Sequence, residues 1–153
     1  MRITLPGSDV RTWDGYLGER YDIVLASPPC RCFTRSNYSM PLSVTEQIDA
    51  MSVVDAIIRI IFMTKPGKWC IENPPGRLKK VLGNPRYTFQ PWWYGGNTQK
   101  TTCLWGEFEI PIREFFVRPG KTVSTGCIGR QGDYRRAITP VGFAKAFYEA
   151  NND

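Results

Sequence analysis

Cys30 and Glu72 are the two side chains in this sequence whose types and positions best suit chemistry on a bound molecule. Each closely follows a short apolar run, residues 23–26 before the cysteine and residues 69–71 before the glutamate. Such runs are typical of buried strands, and in open α/β sheets ligands bind beyond the carboxyl ends of the strands. We therefore expect the thiol and the carboxyl group at the same edge of one sheet.

A thiolate can add to an electron-poor carbon, and a carboxyl group can supply or accept the proton that such an addition moves. The alternative for Cys30 is a small buried apolar residue, the ordinary place of a free cysteine. Pro28 and Pro29 favour the reactive role, because successive prolines fix an extended approach to the thiol. The chain has no histidine, so Ser-His and Cys-His dyads are excluded.

The segment between these two side chains predicts the element that brings them together. A strand over residues 21–27, a helix over 43–64 and a strand over 68–72 make one βαβ unit with a right-handed crossover. A capping-box pattern at Ser43 begins the helix. Six apolar residues at helical spacing are expected to face the sheet: Val44, Ile48, Met51, Val54, Ile58 and Ile61.

The rest of the chain predicts further elements of the same kind. They are a short helix over residues 76–82, a strand over 101–105 and a last helix that begins after Thr139 and Pro140. Nearly continuous apolar strands that alternate with helices are typical of α/β proteins. We expect all 153 residues to form a single domain with three layers and a mostly parallel sheet.

Composition limits the partners and the compartment. The formal net charge is +6 and the isoelectric point is about 9.2, which suits a polyanionic partner. Five cysteines without a second pair at zinc-ligand spacing predict neither a disulfide framework nor a metal site. The N-terminus lacks an apolar leader and no apolar stretch could span a bilayer, so a cytoplasmic protein is expected.

The phrases Ser-Pro-Pro-Cys-Arg-Cys-Phe-Thr-Arg at residues 27–35 and Ile-Glu-Asn-Pro at 71–74 resemble the Pro-Pro-Cys and Glu-Asn signatures of DNA cytosine-5 methyltransferases. The resemblance implies that Cys30 adds to carbon 6 of cytosine while Glu72 assists at ring nitrogen 3. It also implies base flipping and a truncated Rossmann-like fold. The neighbouring residues of the two phrases are then expected to bind the substrate: Pro28, Pro29, Arg35, Asn73 and Pro74.

A third segment, residues 94–105, is similar to the family's run of glutamine, basic residues and an apolar strand. Gln99 and Lys100 are its candidates for substrate binding, and Thr102 stands where the family has an arginine. Short phage-type methylase-like proteins give the closest overall impression, and a phage-encoded chain would act in the host cytoplasm.

A basic segment over residues 118–136 is expected to bind DNA phosphates and to serve as a reduced target-recognition region. Phosphate contacts give affinity with little reading of sequence. Its cations are Arg118, Lys121, Arg130, Arg135 and Arg136.

The methyl donor of the resembling family is S-adenosylmethionine, which its members hold with a Gly-rich loop and an acidic residue. The sequence has no Phe-x-Gly-x-Gly phrase, and only 22 residues precede Ile23, which is short of a βαβ unit. Asp9 is a candidate contact to the adenine ring. We expect the isolated chain to bind S-adenosylmethionine poorly, and a second subunit or a homodimer to complete the donor site.

Three other interpretations stay open. The Cys30 adduct could serve a reaction without S-adenosylmethionine, namely hydroxymethyl addition or removal, or deamination, since saturating the 5,6 bond labilises the 4-amino group. The substrate could be a free pyrimidine nucleotide, which would leave the basic segment with less to do. The chain could also be a catalytically silent DNA-binding protein, which the presence of both Cys30 and Glu72 disfavours.

Overall fold

A computed structural model describes residues 9–13, 20–34, 42–124 and 138–152. Its main element is a four-stranded sheet, in which the strands lie in the order β1, β2, β5, β3. Two further short strands, β4 and β6, form a separate parallel pair. The strands are β1 Ile23–Ala26, β2 Lys68–Asn73, β3 Tyr87–Phe89, β4 Thr98–Gln99, β5 Thr102–Glu107 and β6 Val123–Ser124.

The predicted strand–helix–strand unit is present. The helix α1 spans Val44–Thr64 and joins β1 to β2, which pair in parallel. Its capping box is formed, because the Ser43 hydroxyl accepts from the Glu46 amide at 3.1 Å while the Glu46 carboxylate accepts from the Ser43 amide at 2.9 Å. Helix α1 ends at Lys65, which adopts a left-handed conformation with φ 44°.

The α/β class is confirmed, but the expectation of a mostly parallel sheet is wrong in its pairing. β5 pairs antiparallel with both β2 and β3, so only the β1–β2 pair of this sheet is parallel. The reason lies in the connection between β3 and β5, which carries a single 3₁₀ turn at Pro91–Tyr94 and the short β4. A parallel pair needs a long crossover, usually a full helix, and this connection does not contain one.

Helices pack on both faces of the sheet. One core cluster joins α1 to β2 and β5 through Val54, Ile71 and Trp105. The second cluster lies on the other face and contains Leu104 of β5 and Phe143 of the last helix, α3, which spans Val141–Asn151. Successive side chains of β5 therefore pack on opposite faces of the sheet, as the pleat of a strand requires.

Helix α1 does not present all of its predicted residues to the sheet. Val54 is fully buried, whereas Val44, Ile48 and Ile58 are 71%, 64% and 43% exposed. The helix is apolar on more than one face, so the spacing of its apolar residues alone does not identify the face that packs. The residues of α1 that are buried are Ala50, Val54, Ala56, Ile57 and Ile60.

Two other predicted elements are only partly covered. A four-residue helix, α2, spans Lys79–Leu82 within the predicted range 76–82. The basic segment 118–136 is described only as far as residue 124, and the rest of it lies outside the described residues. Within the described part of the chain, no helix is both long enough and apolar enough to cross a membrane.

Candidate active site

The two phrases that contain Cys30 and Glu72 meet at one edge of the sheet. The parallel register aligns Ala26 with Ile71, so the residues that follow each strand emerge side by side. The buried side chain of Asn73 donates a hydrogen bond from Nδ2 to the carbonyl oxygen of Pro28 at 2.9 Å. This bond ties the loop that carries the thiol directly to the end of the strand that carries the carboxylate.

A second set of contacts holds the far side of the same loop. The amide of Arg77 donates to the carbonyl of Phe33 at 2.6 Å, and Thr34 forms a bridge with Gly76. A Cβ atom on Gly76 would lie 1.7 Å from the Phe33 carbonyl oxygen, so only glycine allows this approach. The segment from residue 28 to residue 34 is therefore fixed at both ends against the chain that follows Glu72.

Cys30 lies between these two anchor points. It begins the 3₁₀ turn Cys30–Cys32, and the amides of Phe33 and Thr34 donate to its carbonyl at 3.0 and 2.9 Å. Cys30 is exposed, so that an approaching ligand can reach its thiol. Cys32 is half-buried and its Sγ lies 3.6 Å from the carbonyl oxygen of Glu46, which is a packing position against α1.

Glu72 projects beside a lysine from a distant part of the chain. Its Oε1 atom lies 4.0 Å from Nζ of Lys100, and the two side chains are 30% and 23% exposed. Within the part of the chain that the structure describes, Oε1 is shielded from solvent and accepts no hydrogen bond. A shielded carboxylate oxygen without a donor is available to a ligand that brings one.

The charge of Glu72 also acts on a neighbouring thiol. Burial, assisted by the nearby Glu72 carboxylate, raises the pKa of Cys70 to about 12 from an ordinary value of 9.0. Cys70 therefore stays a neutral thiol at physiological pH. Of the cysteines that the structure describes, Cys30 is the exposed one, while Cys70 and Cys103 are buried.

The beginning of the basic segment is fastened next to Lys100. β4 pairs with β6, and the Gln99 side-chain amide donates to the hydroxyl of Thr122 at 2.5 Å. The guanidinium of Arg118 donates to the same hydroxyl at 3.0 Å. Arg118 and Lys121 are both exposed, so this arrangement places two cations in the chain just before β6, next to the strand pair.

Asp9 lies elsewhere, on a segment that packs against α1. Its carboxylate accepts bonds from the amide and the guanidinium of Arg11, which also pairs with Asp49. Hydrogen bonds from Arg11 lower the pKa of Asp9 to about 2. Both oxygens of Asp9 are thus engaged by Arg11, and the predicted contact to an adenine ring stays a prediction.

The structure gathers part of the expected set of residues. Cys30, Asn73 and the Glu72–Lys100 pair are positioned by the β1 and β2 strand ends and by the chain before β5. The sequence did not predict the close approach at Gly76 or the Glu72–Lys100 ion pair. The Pro-Pro-Gly at 74–76 is the one local signal, since it favours a turn. Four predicted binding residues lie outside the described residues: Arg35, Arg130, Arg135 and Arg136.

Comparison with models of known protein families gives no match to the sequence. Among the described residues, no group of three or more His, Cys, Asp or Glu side chains is arranged to hold a metal ion.

A curated protein of Frog virus 3 (isolate Goorha), named "Probable DNA (cytosine-5)-methyltransferase", is 30% identical over 120 residues. The match covers 66% of this chain and 54% of the relative, so the chain spans about half of the relative's length. The resemblance that the Pro-Pro-Cys and Glu-Asn phrases indicate is confirmed: the chain is similar in sequence to a protein named as a probable DNA cytosine-5 methyltransferase.

Proposed function

We propose that this chain is a DNA cytosine-modifying enzyme of the cytosine-5 methyltransferase type, with Cys30 as the nucleophile and Glu72 as the acid–base group. The observation that carries the proposal is the bond between the loop that contains Cys30 and the end of the strand that contains Glu72. Asn73 and Gly76 anchor the thiol loop on both sides, while Glu72 keeps one shielded oxygen without a donor. Covalent catalysis of this kind needs a nucleophile and a carboxyl group within reach of the same substrate.

The proposed step is an addition to the pyrimidine ring. The thiolate of Cys30 forms a bond to carbon 6, the 5,6 double bond breaks, and its electron pair makes carbon 5 nucleophilic. The Glu72 carboxyl group assists at ring nitrogen 3 by supplying a proton as the adduct forms, which neutralises the charge that develops there. Lys100, 4.0 Å from Glu72, offers a cation to the ring oxygen or to a phosphate of the same nucleotide.

Reaching a base inside a duplex requires that the base leave the stack. The exposed position of Cys30 supports a flipped cytosine held at this edge, as do the exposed cations Arg118 and Lys121 in the chain before β6. The net charge of +6 also supports a nucleic-acid partner, because cationic side chains neutralise backbone phosphates. We infer a Rossmann-like methyltransferase domain as the framework.

The fit of the methyl donor is poor in the described part of the chain. The one acidic residue expected to contact it, Asp9, is engaged by Arg11. Leu25 on β1, beside the thiol loop, is 63% exposed, whereas a donor site must enclose most of its ligand. We therefore derive no step through S-adenosylmethionine and treat the electrophile as supplied from outside these residues.

An exchange experiment tests the addition without a donor. Reversible attack at carbon 6 makes the hydrogen on carbon 5 exchange with solvent, so DNA incubated in heavy water should gain deuterium at cytosine carbon 5. We expect exchange with the unchanged chain and with Cys32→Ala, and none with Cys30→Ala or Glu72→Gln. Loss of exchange in Cys32→Ala with retention in Cys30→Ala would show that the wrong thiol is assigned.

Covalent capture provides an independent measurement. In DNA that carries 5-azacytosine, ring nitrogen replaces carbon 5 and makes carbon 6 more electrophilic, so an adduct with Cys30 can accumulate and be seen as a shifted band on a denaturing gel. Parallel reactions on natural DNA with S-adenosylmethionine, analysed for methylated cytosine, test methyl transfer. Absence of both exchange and capture would leave a silent DNA-binding protein as the better description.

A further inference from the structure

Helix α1 has three faces, and the described residues cover two of them. The sheet covers the face that carries Ala50, Val54 and Ile57. A second face is covered by residues 9–13, since the Arg59 guanidinium donates to the carbonyl of Trp13 at 2.9 Å and Arg11 pairs with Asp49 on the same helix. The third face carries the exposed apolar side chains of Val44, Ile48, Ile58 and Phe62, which no described residue covers. Met51 lies at its edge and is half-buried against the core cluster.

Six positions of this third face repeat with alternating steps of four and three, and five of them are apolar. This spacing is the heptad repeat of helices that pack side by side, with apolar residues at positions a and d. The seam consists of Val44, Ile48, Met51, Asp55, Ile58 and Phe62. Val44 and Phe62 at its two ends are 71% and 76% exposed, and Ile48 is 64% exposed.

Exposed apolar seams of this length are uncommon on a monomer, because large apolar patches mark interaction sites. The seam extends over nearly the whole 21-residue helix, which corresponds to about 30 Å. A shallow groove runs beside it, lined by Gln47, Ser52 and Asp55 together with the apolar residues of its first half. The small side chain of Ser52 at its border allows a second helix to approach closely.

We propose that this seam is a dimer interface, in which α1 packs antiparallel against α1 of a second copy of this chain. The seam is self-complementary in that orientation. Pairing about its centre places Val44 opposite the second copy's Phe62 and Ile48 opposite the second copy's Ile58. Each a position then meets a d position, as antiparallel helix pairs require.

Asp55 decides between the two orientations. A parallel pair would place Asp55 directly against the second copy's Asp55 in the apolar seam, and two facing carboxylates in such a place repel each other. The antiparallel pair places Asp55 opposite Met51, so that its carboxylate lies at the seam border near Ser52. A single polar residue at an a position is a known means of fixing the register of a helix pair.

The test is a charge-swap measured by sedimentation velocity on the full chain over a range of concentrations. The unchanged chain should form a dimer, and Ile48→Lys or Ile58→Glu should each raise the dimer dissociation constant at least about tenfold. The double variant Ile48→Lys with Ile58→Glu should recover dimerisation, because each introduced lysine then faces an introduced glutamate of the second copy.

Control variants separate the seam from general effects. Ile112→Lys changes an apolar residue that is 85% exposed outside the seam and should leave the dimer unchanged. Circular dichroism should show unaltered helix content in all variants, since Ile48 and Ile58 are exposed. A chain that is monomeric at all concentrations, a double variant weaker than either single one, or an equal effect of Ile112→Lys would each overturn the proposal.

Discussion

The amide of Asn73 connects two parts of the site that are far apart in the sequence. It is 1% exposed and donates to the carbonyl of Pro28, two residues before Cys30. We expect Asn73→Ala to lower the free energy of unfolding by about 1–3 kcal/mol, because the Pro28 carbonyl would lose its partner inside the protein. Urea titration followed by circular dichroism measures this.

The same substitution should reduce carbon-5 exchange more than stability alone explains, because the thiol loop loses one of its anchors. Asn84→Ala is the matched control, since Asn84 is exposed. An unchanged exchange rate in folded Asn73→Ala would show that the bond does not position the thiol.

Gly76 sets how closely the thiol loop approaches the chain after Glu72. A Cβ there would lie 1.7 Å from the carbonyl oxygen of Phe33. Neither the Cβ nor the backbone carbonyl can rotate away from this contact. We expect Gly76→Ala to destabilise the protein by about 1–3 kcal/mol, as overpacking of a tight contact does. The equivalent change Gly120→Ala, where a Cβ meets nothing within 4 Å, should have little effect in the same thermal unfolding measurement.

Cys70 gives the protein a defined sensitivity to high pH. Its pKa is raised to about 12 in the folded chain from an ordinary value of 9.0, so the folded state holds the thiol proton more tightly than the unfolded state does. The resulting stabilisation is complete below about pH 9 and declines as the pH rises towards 12.

Comparing the pH profiles of unfolding free energy for the unchanged chain and Cys70→Ala isolates this contribution. The unchanged chain should lose more stability between pH 9 and pH 12 than the variant does. Parallel slopes for the two proteins across that range would contradict the assignment.

At the scale of single residues, the sequence predicts the positions of side chains that follow strand ends. It does not predict the roles of side chains that act through tertiary contacts. Cys30 and Glu72 share an edge because each closely follows an apolar strand, and this could be read from the sequence. The anchoring roles of Asn73 and Gly76 could not, since both arise from loops that meet only in the folded chain. The Glu72–Lys100 pair joins two segments whose relative placement depends on the direction of β5.

Helix α1 carries the connection between the two halves of the candidate site, and its first turn is well capped. The backbone amide of Glu46 donates a hydrogen bond to the Ser43 hydroxyl at 3.1 Å. Replacing Ser43 with alanine should cost about 1 kcal/mol of stability, the usual contribution of an N-cap side chain. The measurement is chemical denaturation, with Ser52→Ala as control.

The hydroxyl of Ser52 lies in the helix interior and donates to the carbonyl of Asp49 at 2.7 Å, a carbonyl already within the helix. Its replacement should be nearly neutral. Equal losses for the two serines would mean that the cap contributes nothing of its own.

At the scale of elements, local signals in the sequence were sufficient for α1 and its neighbouring strands. The capping box and the apolar runs act within a few residues, so they are readable without the fold. The direction of β5 could not be predicted from the sequence, because its apolar run looks the same in either direction. The packing face of α1 could not be predicted either, because the helix has two apolar faces and the sheet covers only one of them.

The whole molecule carries a net charge of +6, and we expect its affinity for DNA to fall steeply with salt. Each phosphate contact that is lost should reduce the slope of log affinity against log salt by about 0.9. Replacing Arg135 and Arg136 with glutamate should weaken binding to unrelated DNA sequences to a similar degree, as measured by fluorescence anisotropy.

Lys145→Glu reverses one charge on an exposed residue of α3 and is the control for a single arginine reversal. It should alter binding less than Arg135→Glu or Arg136→Glu alone does. A loss confined to one DNA sequence would show that the basic segment reads bases and does not only contact phosphates.

The connection between β1 and β2 also has a consequence for the order in which the protein matures. β1, α1 and β2 are consecutive in residues 23–73, whereas Lys100 comes from the chain that precedes β5. Contacts between nearby parts of the chain form faster than those that must close longer loops. In refolding from denaturant, the edge with Cys30 and Glu72 can therefore assemble before the contact with Lys100 forms. Lys100 reaches Glu72 only when β5 inserts between β2 and β3, so the completed ion pair reports a stage of folding later than the β1–α1–β2 unit.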